Sequence, residues 1–176
     1  RLTFDKSLAL DGARRDEFVE QIKDYSVPYS AIENEKIDEG LTFIKAFDQL
    51  PEKGEVQMAT PLCASMIGRD PKESKAWGKS EIVVHASIEE VLAYFWDFES
   101  RARSRPSDLE KTILEGTNQH NLVACICKKG TYAGLLKFLP REGVQNNIWK
   151  KVGSNTLIFV SLPTIHTSRP IVPDKV

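Results

Sequence analysis

The stretch AWGKSEIVVHASIEEVLAYFWDFESRARSR, residues 76–105, changes its hydrophobic period at its centre. Its first part, residues 76–86, is interpreted as a β-strand, with Ile82, Val84 and Ala86 on one face and Val83 and His85 on the other. Ser87 then precedes Glu90 by three positions, the spacing of a capping box at the start of a helix. Apolar residues at helical spacing follow as far as Trp96. The stretch therefore predicts a strand that leads directly into a short, capped helix.

Two amphipathic helices are predicted on the N-terminal side of this stretch. Phe18, Ile22 and Tyr25 share one face of a helix. A longer apolar stripe follows, and Pro51 closes it. Between the stripe and the stretch, the apolar runs are short and bounded by turn residues. The predicted elements are a helix that ends before Pro28, a helix over residues 33–50, and strands over residues 55–59 and 62–67.

The chain on the C-terminal side of the stretch has the pattern of an antiparallel meander. Both faces of the run 122–127 are apolar, which predicts that this strand is covered on both sides. Helices and strands that are segregated along the chain predict an α+β fold with an antiparallel sheet. The predicted elements here are strands over residues 109–115, 122–127, 144–152 and 156–162, and a loop over residues 131–143.

Composition and charge exclude several classes of protein. The chain of 176 residues has 24 basic and 25 acidic side chains and a net charge of -1, which argues against a nucleic-acid-binding protein. Three cysteines do not form the even framework of a secreted disulfide scaffold. No apolar run approaches the roughly 18 residues that span a membrane, so at most a peripheral membrane contact is expected. These features predict an intracellular, cytoplasmic protein; the chain starts at Arg1, so import into an organelle stays open.

The sequence gives no sign of catalytic or metal-binding chemistry. The three histidines are far apart in the chain and lack the spacing of metal ligands, and His120 lies in a predicted turn. Cys125 and Cys127 share one face of a strand, where small buried apolar residues are expected. There is no nucleophile elbow, no glycine-rich phosphate loop and no HExxH motif. We therefore expect no enzyme activity, no cofactor and no metal.

Three segments together resemble the START-like group of the helix-grip (START/Bet v 1-like) superfamily, as found in multidomain proteins of algae, oomycetes and other protists. The resemblance implies a curved antiparallel sheet that grips a long C-terminal helix, with an apolar cavity for a lipid or sterol between them. It predicts an N-terminal helical extension over residues 1–30 and a START-like domain over residues 31–176. The segments are residues 76–105, SDLEKTILEGTNQHNLV at 107–123, and WKKVGSNTLIFVSLPTIHTSRPIV at 149–172.

Two departures from the family pattern affect this expectation. The chain ends at Val176, where the family continues into a last strand and the gripping helix, so that helix is expected to be absent from this chain. Sterol-binding members carry an acidic and a basic residue in the cavity. The run 122–127 has no carboxylate and the facing strand offers Asn147, which argues against a sterol.

The leading hypothesis is a START-like module that binds or senses a lipid or another hydrophobic small molecule. The alternative is a non-catalytic interaction or scaffold subunit, which uses a degenerate START-like fold to pack in a larger complex, with a protein partner covering the open sheet. Alternation shows which residues share a face, but not which face is inside. The candidate cavity-lining residues are Ile82, Val84, Leu122, Ala124, Ile126, Asn147 and Phe159, and the candidate membrane-contact residues are Arg101, Arg103 and Arg105.

Overall fold

The computed structural model, which describes residues 6–58, 61–73, 76–133 and 136–170, is an α+β protein whose helices and antiparallel strands are largely segregated along the chain. The elements in chain order are α1 (Lys6–Lys23), α2 (Ala31–Asp48), β1 (Glu52–Val56), β2 (Cys63–Arg69), β3 (Ala76–Ile82), α3 (Ile88–Trp96), a 3-10 turn (Arg101–Arg103), β4 (Asp108–Asn118), β5 (Asn121–Lys128), β6 (Thr131–Ala133), β7 (Leu136–Phe138), β8 (Arg141–Gly153) and β9 (Thr156–Pro163).

The predicted strand and capped helix are confirmed. β3 ends at Ile82, and α3 starts immediately after Ser87. The Ser87 hydroxyl accepts a hydrogen bond from the Glu90 amide at 3.1 Å, and the Glu90 carboxylate accepts one from the Ser87 amide at 2.7 Å. This capping box satisfies two backbone donors that the first turn of a helix otherwise leaves without partners.

The prediction of a loop over residues 131–143 was wrong. The structure has the short hairpin strands β6 and β7 in this segment, and β8 begins at Arg141. Pro140 lies between β7 and β8, and Gly143 lies within β8, so turn-forming residues in this segment did not exclude strands. The part of the first predicted strand at Ala59 lies outside the described residues.

The described strands form three antiparallel sheets, with the orders β1-β2-β3, β4-β5-β8-β9 and β6-β7. The chain divides into two compact units, Arg1–Ile37 with Ser87–Val176, and Asp38–Ala86. The four-stranded sheet belongs to the first unit and the three-stranded sheet to the second. The candidate site lies in the first unit.

Both faces of β5 are buried at the centre of the strand, as the apolar pattern of residues 122–127 predicted. Ala124 and Cys125 point to opposite faces, and each is 0% exposed. On one face, which we call the helix-covered face, α1 and α3 pack against the sheet and form the main hydrophobic core. The buried core residues are Val19, Ile22, Leu92, Ala93, Trp96, Phe98, Leu122, Ala124 and Trp149.

On the opposite face, which we call the back face, the first turns of α2 lie against β8. The Lys36 ammonium donates to the Asn146 side-chain oxygen at 2.7 Å, and the Lys150 ammonium donates to that of Asn34 at 2.6 Å. These contacts are polar because α2 presents the amide of Asn34 and the ammonium of Lys36 to β8. The start of α2 is therefore fixed to the sheet by hydrogen bonds as well as by packing.

The smaller unit packs the end of α2 against its three-stranded sheet. Gly68 on β2 makes this possible, because a Cβ atom there would come within 2.6 Å of Leu50 Cδ1 and 3.3 Å of a Phe47 ring atom. Several apolar side chains of this unit stay exposed: Ile67, Ile82, Val83 and Val84. The sheet of the smaller unit is thus only partly covered by its own residues.

Candidate functional site

The structure brings most of the predicted cavity-lining residues to one place. Leu122, Ala124 and Ile126 project from β5 to the helix-covered face, where all three join the core or pack against it. Phe159 on β9 reaches the same core, and its ring stacks with that of Phe95 at a centroid distance of 5.9 Å. These side chains form a continuous apolar surface under α1 and α3.

The other two predicted lining residues do not belong to this surface. Ile82 ends β3 and Val84 follows it, both in the smaller unit, where they are 65% and 49% exposed. The predicted strand over residues 76–86 ends at Ile82, so Val84 lies outside it, and alternation carried no information about which sheet Ile82 joins.

Asn147 is the polar member of the helix-covered face. It pairs with Leu122 across β5 and β8, so the two side chains lie on the same face. Its side chain is 2% exposed, and its oxygen has no hydrogen-bond partner among the described residues. An unsatisfied buried acceptor costs about 1–3 kcal/mol. This oxygen is therefore suited to accept a hydrogen bond from a hydroxyl or N–H group that enters the core.

The three candidate membrane-contact arginines differ in their surroundings. Arg103 is half-buried, lies 5.4 Å from the Phe98 ring centroid and donates to the Phe95 carbonyl. Burial lowers the pKa of its guanidinium. Arg101 and Arg105 are exposed. No helix in the described part of the chain has both the length and the apolar character that would let it cross a membrane.

Lys111 lies beside Arg103 at the edge of the helix-covered face. Its ammonium is 4.7 Å from the Phe98 ring centroid and donates to the Arg103 carbonyl at 3.3 Å. Burial and the positive charge of Arg103 lower the pKa of Lys111 to about 8. The two cations share one aromatic side chain, and the carboxylates of Asp97 and Asp108 lie close enough to act on them.

A buried polar network that the sequence reasoning missed connects α2 to the β4–β5 hairpin. Glu33 is its centre and is 6% exposed. One carboxylate oxygen accepts from the side chains of Asn118 at 2.9 Å and Asn121 at 2.8 Å. The other accepts from the backbone amide of Ser30 at 2.8 Å and from its hydroxyl at 2.9 Å. Asn121 in turn accepts from Asn146, at 2.7 Å, on β8.

Ser30 and Glu33 also form the capping box of α2, because the Glu33 amide donates to the Ser30 hydroxyl at 3.3 Å. Glu33 therefore caps its own helix with one oxygen and binds the hairpin with the other. The S-x-x-E spacing in SAIE, residues 30–33, was the signal in the sequence that predicts this cap. The long-range half of the network has no local signal, since its partners lie in another part of the chain.

His120 is enclosed in the same network and is 0% exposed. Tyr25 contacts its Nδ1 atom, and the rings of Tyr29 and Trp149 lie against it. Its Nε2 atom is 3.0 Å from Glu33 Oε1, but the N–H has no aligned acceptor, and that oxygen already accepts two amide hydrogen bonds. We therefore assign the neutral imidazole, which can accept from the Tyr25 hydroxyl.

Burial determines the protonation of His120, and hydrogen bonds determine that of Glu33. Burial lowers the pKa of His120 because the charged ring loses its hydration. Burial also raises the pKa of Glu33, but the hydrogen bonds from Asn121, Ser30 and Asn118 outweigh it and hold that pKa below its ordinary value. The network is thus a neutral histidine beside an ionised glutamate. Neither side chain is accessible to a substrate, so the arrangement supports a structural role.

The pH dependence of folding tests this assignment. The unfolded state protonates His120 at its ordinary pKa of 6.5, and the folded state only at a lower pH. The contribution of neutral His120 to the free energy of unfolding is therefore fully present above pH 6.5. It is lost progressively as the pH falls through 6.5 toward the pKa of the folded state. Glu33 adds a second decline below its ordinary pKa of 4.5.

We expect His120→Gln to remove the first decline, which urea titrations at a series of pH values measure. His85→Gln is the matched control, because His85 is exposed, and it should leave the pH profile unchanged. Equal slopes for the wild-type protein and His120→Gln would contradict a neutral, buried His120.

Comparison with solved structures gives the fold. The structure of human StAR-related lipid transfer protein 5 superposes with a TM-score of 0.60, over 82% of this chain and 69% of that chain, at 13% identity. The chain has a START-like fold. The lipid transfer and protein localization domain of human StarD13 (DLC2) superposes with a TM-score of 0.55, over 77% of this chain and 69% of that chain, also at 13% identity. No protein-family model and no curated protein matches the sequence.

The START-like fold confirms the resemblance that residues 76–105 and the later segments indicated. It is shown by backbone geometry, because so low an identity leaves few side chains in common. The helix-covered face of the four-stranded sheet is the part of this START-like fold in which five of the seven predicted lining residues meet: Leu122, Ala124, Ile126, Asn147 and Phe159.

Proposed function

We propose that this protein is a non-catalytic module that binds a lipid or a similar hydrophobic molecule on the helix-covered face. The observation that carries the proposal is the apolar surface of β5 and β9 with one unpartnered polar atom, Asn147 Oδ1, inside a START-like fold. Both solved relatives are named for lipid transfer. An apolar tail with a single hydrogen-bond donor has the chemistry that this surface matches.

In this proposal the ligand inserts between the sheet and α1. Val19 and Ile22 of α1 belong to the core there. The tail of the ligand therefore replaces the apolar contacts that these two side chains make with the sheet. Transfer of an apolar tail from water contributes about 25 cal/mol for each Å² that is buried. The donor of the head group bonds to Asn147, and this bond fixes the orientation of the ligand.

The first experiment measures bound lipid directly. The protein is incubated with vesicles of mixed phospholipids and sterols, re-isolated, and weighed by native mass spectrometry, and the bound material is extracted and identified. We expect a bound mass that extracts as a defined lipid. A protein that keeps its apo mass after this incubation contradicts the proposal.

Asn147→Leu distinguishes a ligand-orienting role from a structural one. Replacing an unsatisfied buried acceptor by an apolar group of similar size should leave the free energy of unfolding unchanged or raise it. The same change should weaken lipid binding about 10-fold, because the head group loses its hydrogen bond. Loaded fraction in the native mass spectrum and urea unfolding give the two readouts.

Asn146→Leu is the matched control for that variant. Asn146 is the neighbouring residue on the back face, where it bonds to Asn121 and Lys36. We expect it to lower stability without a selective loss of lipid from the folded fraction. If Asn147→Leu loads as much lipid as the wild-type protein, Asn147 does not contact the ligand.

The scaffold function is the second candidate, and the smaller unit favours it. Four apolar side chains of this unit are between 49% and 65% exposed: Ile67, Ile82, Val83 and Val84. An open groove of about 540 Å³, lined by Val56, Met58 and Met66 among others, lies in the same unit. Exposed apolar patches mark interaction sites. Ile82→Asp with Val84→Asp should abolish capture of a protein partner and leave lipid loading unchanged.

Peripheral membrane contact through Arg101, Arg103 and Arg105 belongs to the same proposal. Arg101 and Arg105 are exposed on one short segment, and a basic residue near an anionic surface contributes about 1 kcal/mol. Co-sedimentation with anionic vesicles should decrease in an Arg101→Gln, Arg105→Gln variant. Co-sedimentation that is equal for the variant and the wild-type protein, or insensitive to salt, would contradict this contact.

A further inference from the structure

A cluster of two thiols and two carboxylates lies on the back face of the four-stranded sheet, away from the proposed lipid site. Cys125 and Cys127 project from β5 to this face, and their sulfur atoms are 4.0 Å apart. Cys127 Sγ is 3.3 Å from Glu142 Oε2 and 3.8 Å from Glu110 Oε2. Cys125 is buried, Cys127 is half-buried and Glu142 is exposed, so the cluster reaches solvent at Glu142.

The strand register creates this cluster. Cys127 pairs with Glu110 on β4 and with Glu142 on β8, so the two carboxylates flank the thiol on either side. Directly paired residues lie on the same face of a sheet. The sequence showed only two cysteines with strand spacing, since the carboxylates come from other strands.

The distances match those between ligands on one tetrahedral ion. Bonds of about 2.3 Å to sulfur and about 2.1 Å to oxygen place two sulfur ligands about 3.8 Å apart and a sulfur and an oxygen about 3.6 Å apart. The corresponding separations here are 4.0 Å and 3.3 Å. Ligand atoms of Cys125, Cys127 and Glu142 all lie within 4.8 Å of one another. Two of the three separations therefore lie within a few tenths of an ångström of the values for one ion.

We propose that Cys125, Cys127 and Glu142 bind a thiol-preferring divalent cation of the Zn²⁺ class, with Glu110 as a further oxygen ligand. Two soft sulfur ligands with carboxylate oxygens favour Zn²⁺ over Mg²⁺ and Ca²⁺, which prefer oxygen alone. The two thiols release two protons as one divalent cation binds. The net charge of the cluster is therefore unchanged.

Arg169 fixes the carboxylates of this site. Its guanidinium bonds to Glu110 and, at 3.1 Å, to Glu142, and so bridges β4 and β8 across the cysteines. Carboxylates that bind metals are generally held by such outer partners, which orient them toward the ion. The segment that follows β9 therefore crosses the back face and holds the ligands in place.

Titration of the full chain tests the site. The probe is Zn²⁺ in competition with a chromogenic chelator, and Co²⁺ gives a second readout through its thiolate charge-transfer and tetrahedral bands. We expect the wild-type protein to bind a single equivalent of either ion with these bands. The Cys125→Ser, Cys127→Ser double variant should lose more affinity than the roughly 10- to 100-fold that loss of an outer partner costs.

Two further variants make the result specific. Glu142→Gln should weaken Zn²⁺ binding and keep the Co²⁺ thiolate band, because both sulfur ligands remain. Cys63→Ser is the matched control, since Cys63 is half-buried in the smaller unit, and it should bind as the wild-type protein does. Circular dichroism and thermal unfolding without metal establish that each variant is folded.

The outcomes separate this site from the proposed function. Equal Zn²⁺ affinity in the wild-type protein and the folded double variant overturns the metal site, as does loss of binding in Cys63→Ser. Lipid loading is measured independently and lies on the other face of the sheet, so neither result bears on the other.

Discussion

Replacing Glu33 with alanine is expected to lower the free energy of unfolding by about 3–5 kcal/mol, the range for breaking a buried charged interaction by removing one partner. The change leaves the amides of Asn118 and Asn121 without their acceptor inside the protein. It also removes the hydrogen bond from the Ser30 amide to the carboxylate in the capping box of α2, while the Ser30 hydroxyl still accepts from the amide of residue 33. Urea unfolding followed by circular dichroism measures the loss.

Two other variants separate the parts of this effect. Glu35→Ala removes an exposed carboxylate of the same helix and should change stability by less than about 0.5 kcal/mol. Glu33→Gln keeps the size of the side chain but turns one acceptor into a donor, and should lie between the two. If Glu33→Ala unfolds like Glu35→Ala, the network does not stabilise the fold.

Replacing Trp149 with alanine is expected to cost about 3–5 kcal/mol as well, for a different reason. Trp149 is 1% exposed and lies between the helix-covered core and the polar network. Its ring contacts those of Tyr25 and Trp96, at centroid distances of 4.6 and 6.4 Å. Truncation leaves a cavity that the rigid sheet beneath cannot close.

Trp149→Phe is the comparison variant for this prediction. It keeps an aromatic ring but loses the hydrogen bond from Trp149 Nε1 to the Gln119 carbonyl, 3.2 Å long. We expect it to cost about 1–2 kcal/mol, less than half of the alanine value. Thermal unfolding, with the loss of Trp149 fluorescence taken into account, measures both. A Trp149→Ala protein as stable as Trp149→Phe would contradict a core role for the ring.

Local patterns in the sequence predicted the elements of this fold well. Ser87 and Glu90 identified the start of α3 because a capping box is a contact within one helical turn. The apolar pattern of residues 122–127 predicted a strand covered on both sides because each face must be buried against something. The prediction failed over residues 131–143, where glycine and proline are compatible with both a loop and short edge strands.

The candidate sites depended on contacts that no local pattern contains. Asn147 and Leu122 were placed on one list from the family resemblance, and only the β5–β8 register shows that they face each other. Glu33 and His120 are distant in sequence, and neither the cap nor the turn that holds each of them predicts that they meet. Ile82 had a pattern as good as that of Leu122 but joins a different sheet.

The packing of α1 over the sheet has a consequence for the speed of ligand exchange. Val19 and Ile22 lie on the surface that the proposed ligand needs, so a lipid reaches Ala124 only after this part of α1 has moved away. At high lipid concentration, the loading rate is then limited by the opening of the helix and no longer rises with concentration. Under the proposed function, sequence changes in α1 that leave every ligand contact intact are therefore expected to change the rates of lipid loading and release.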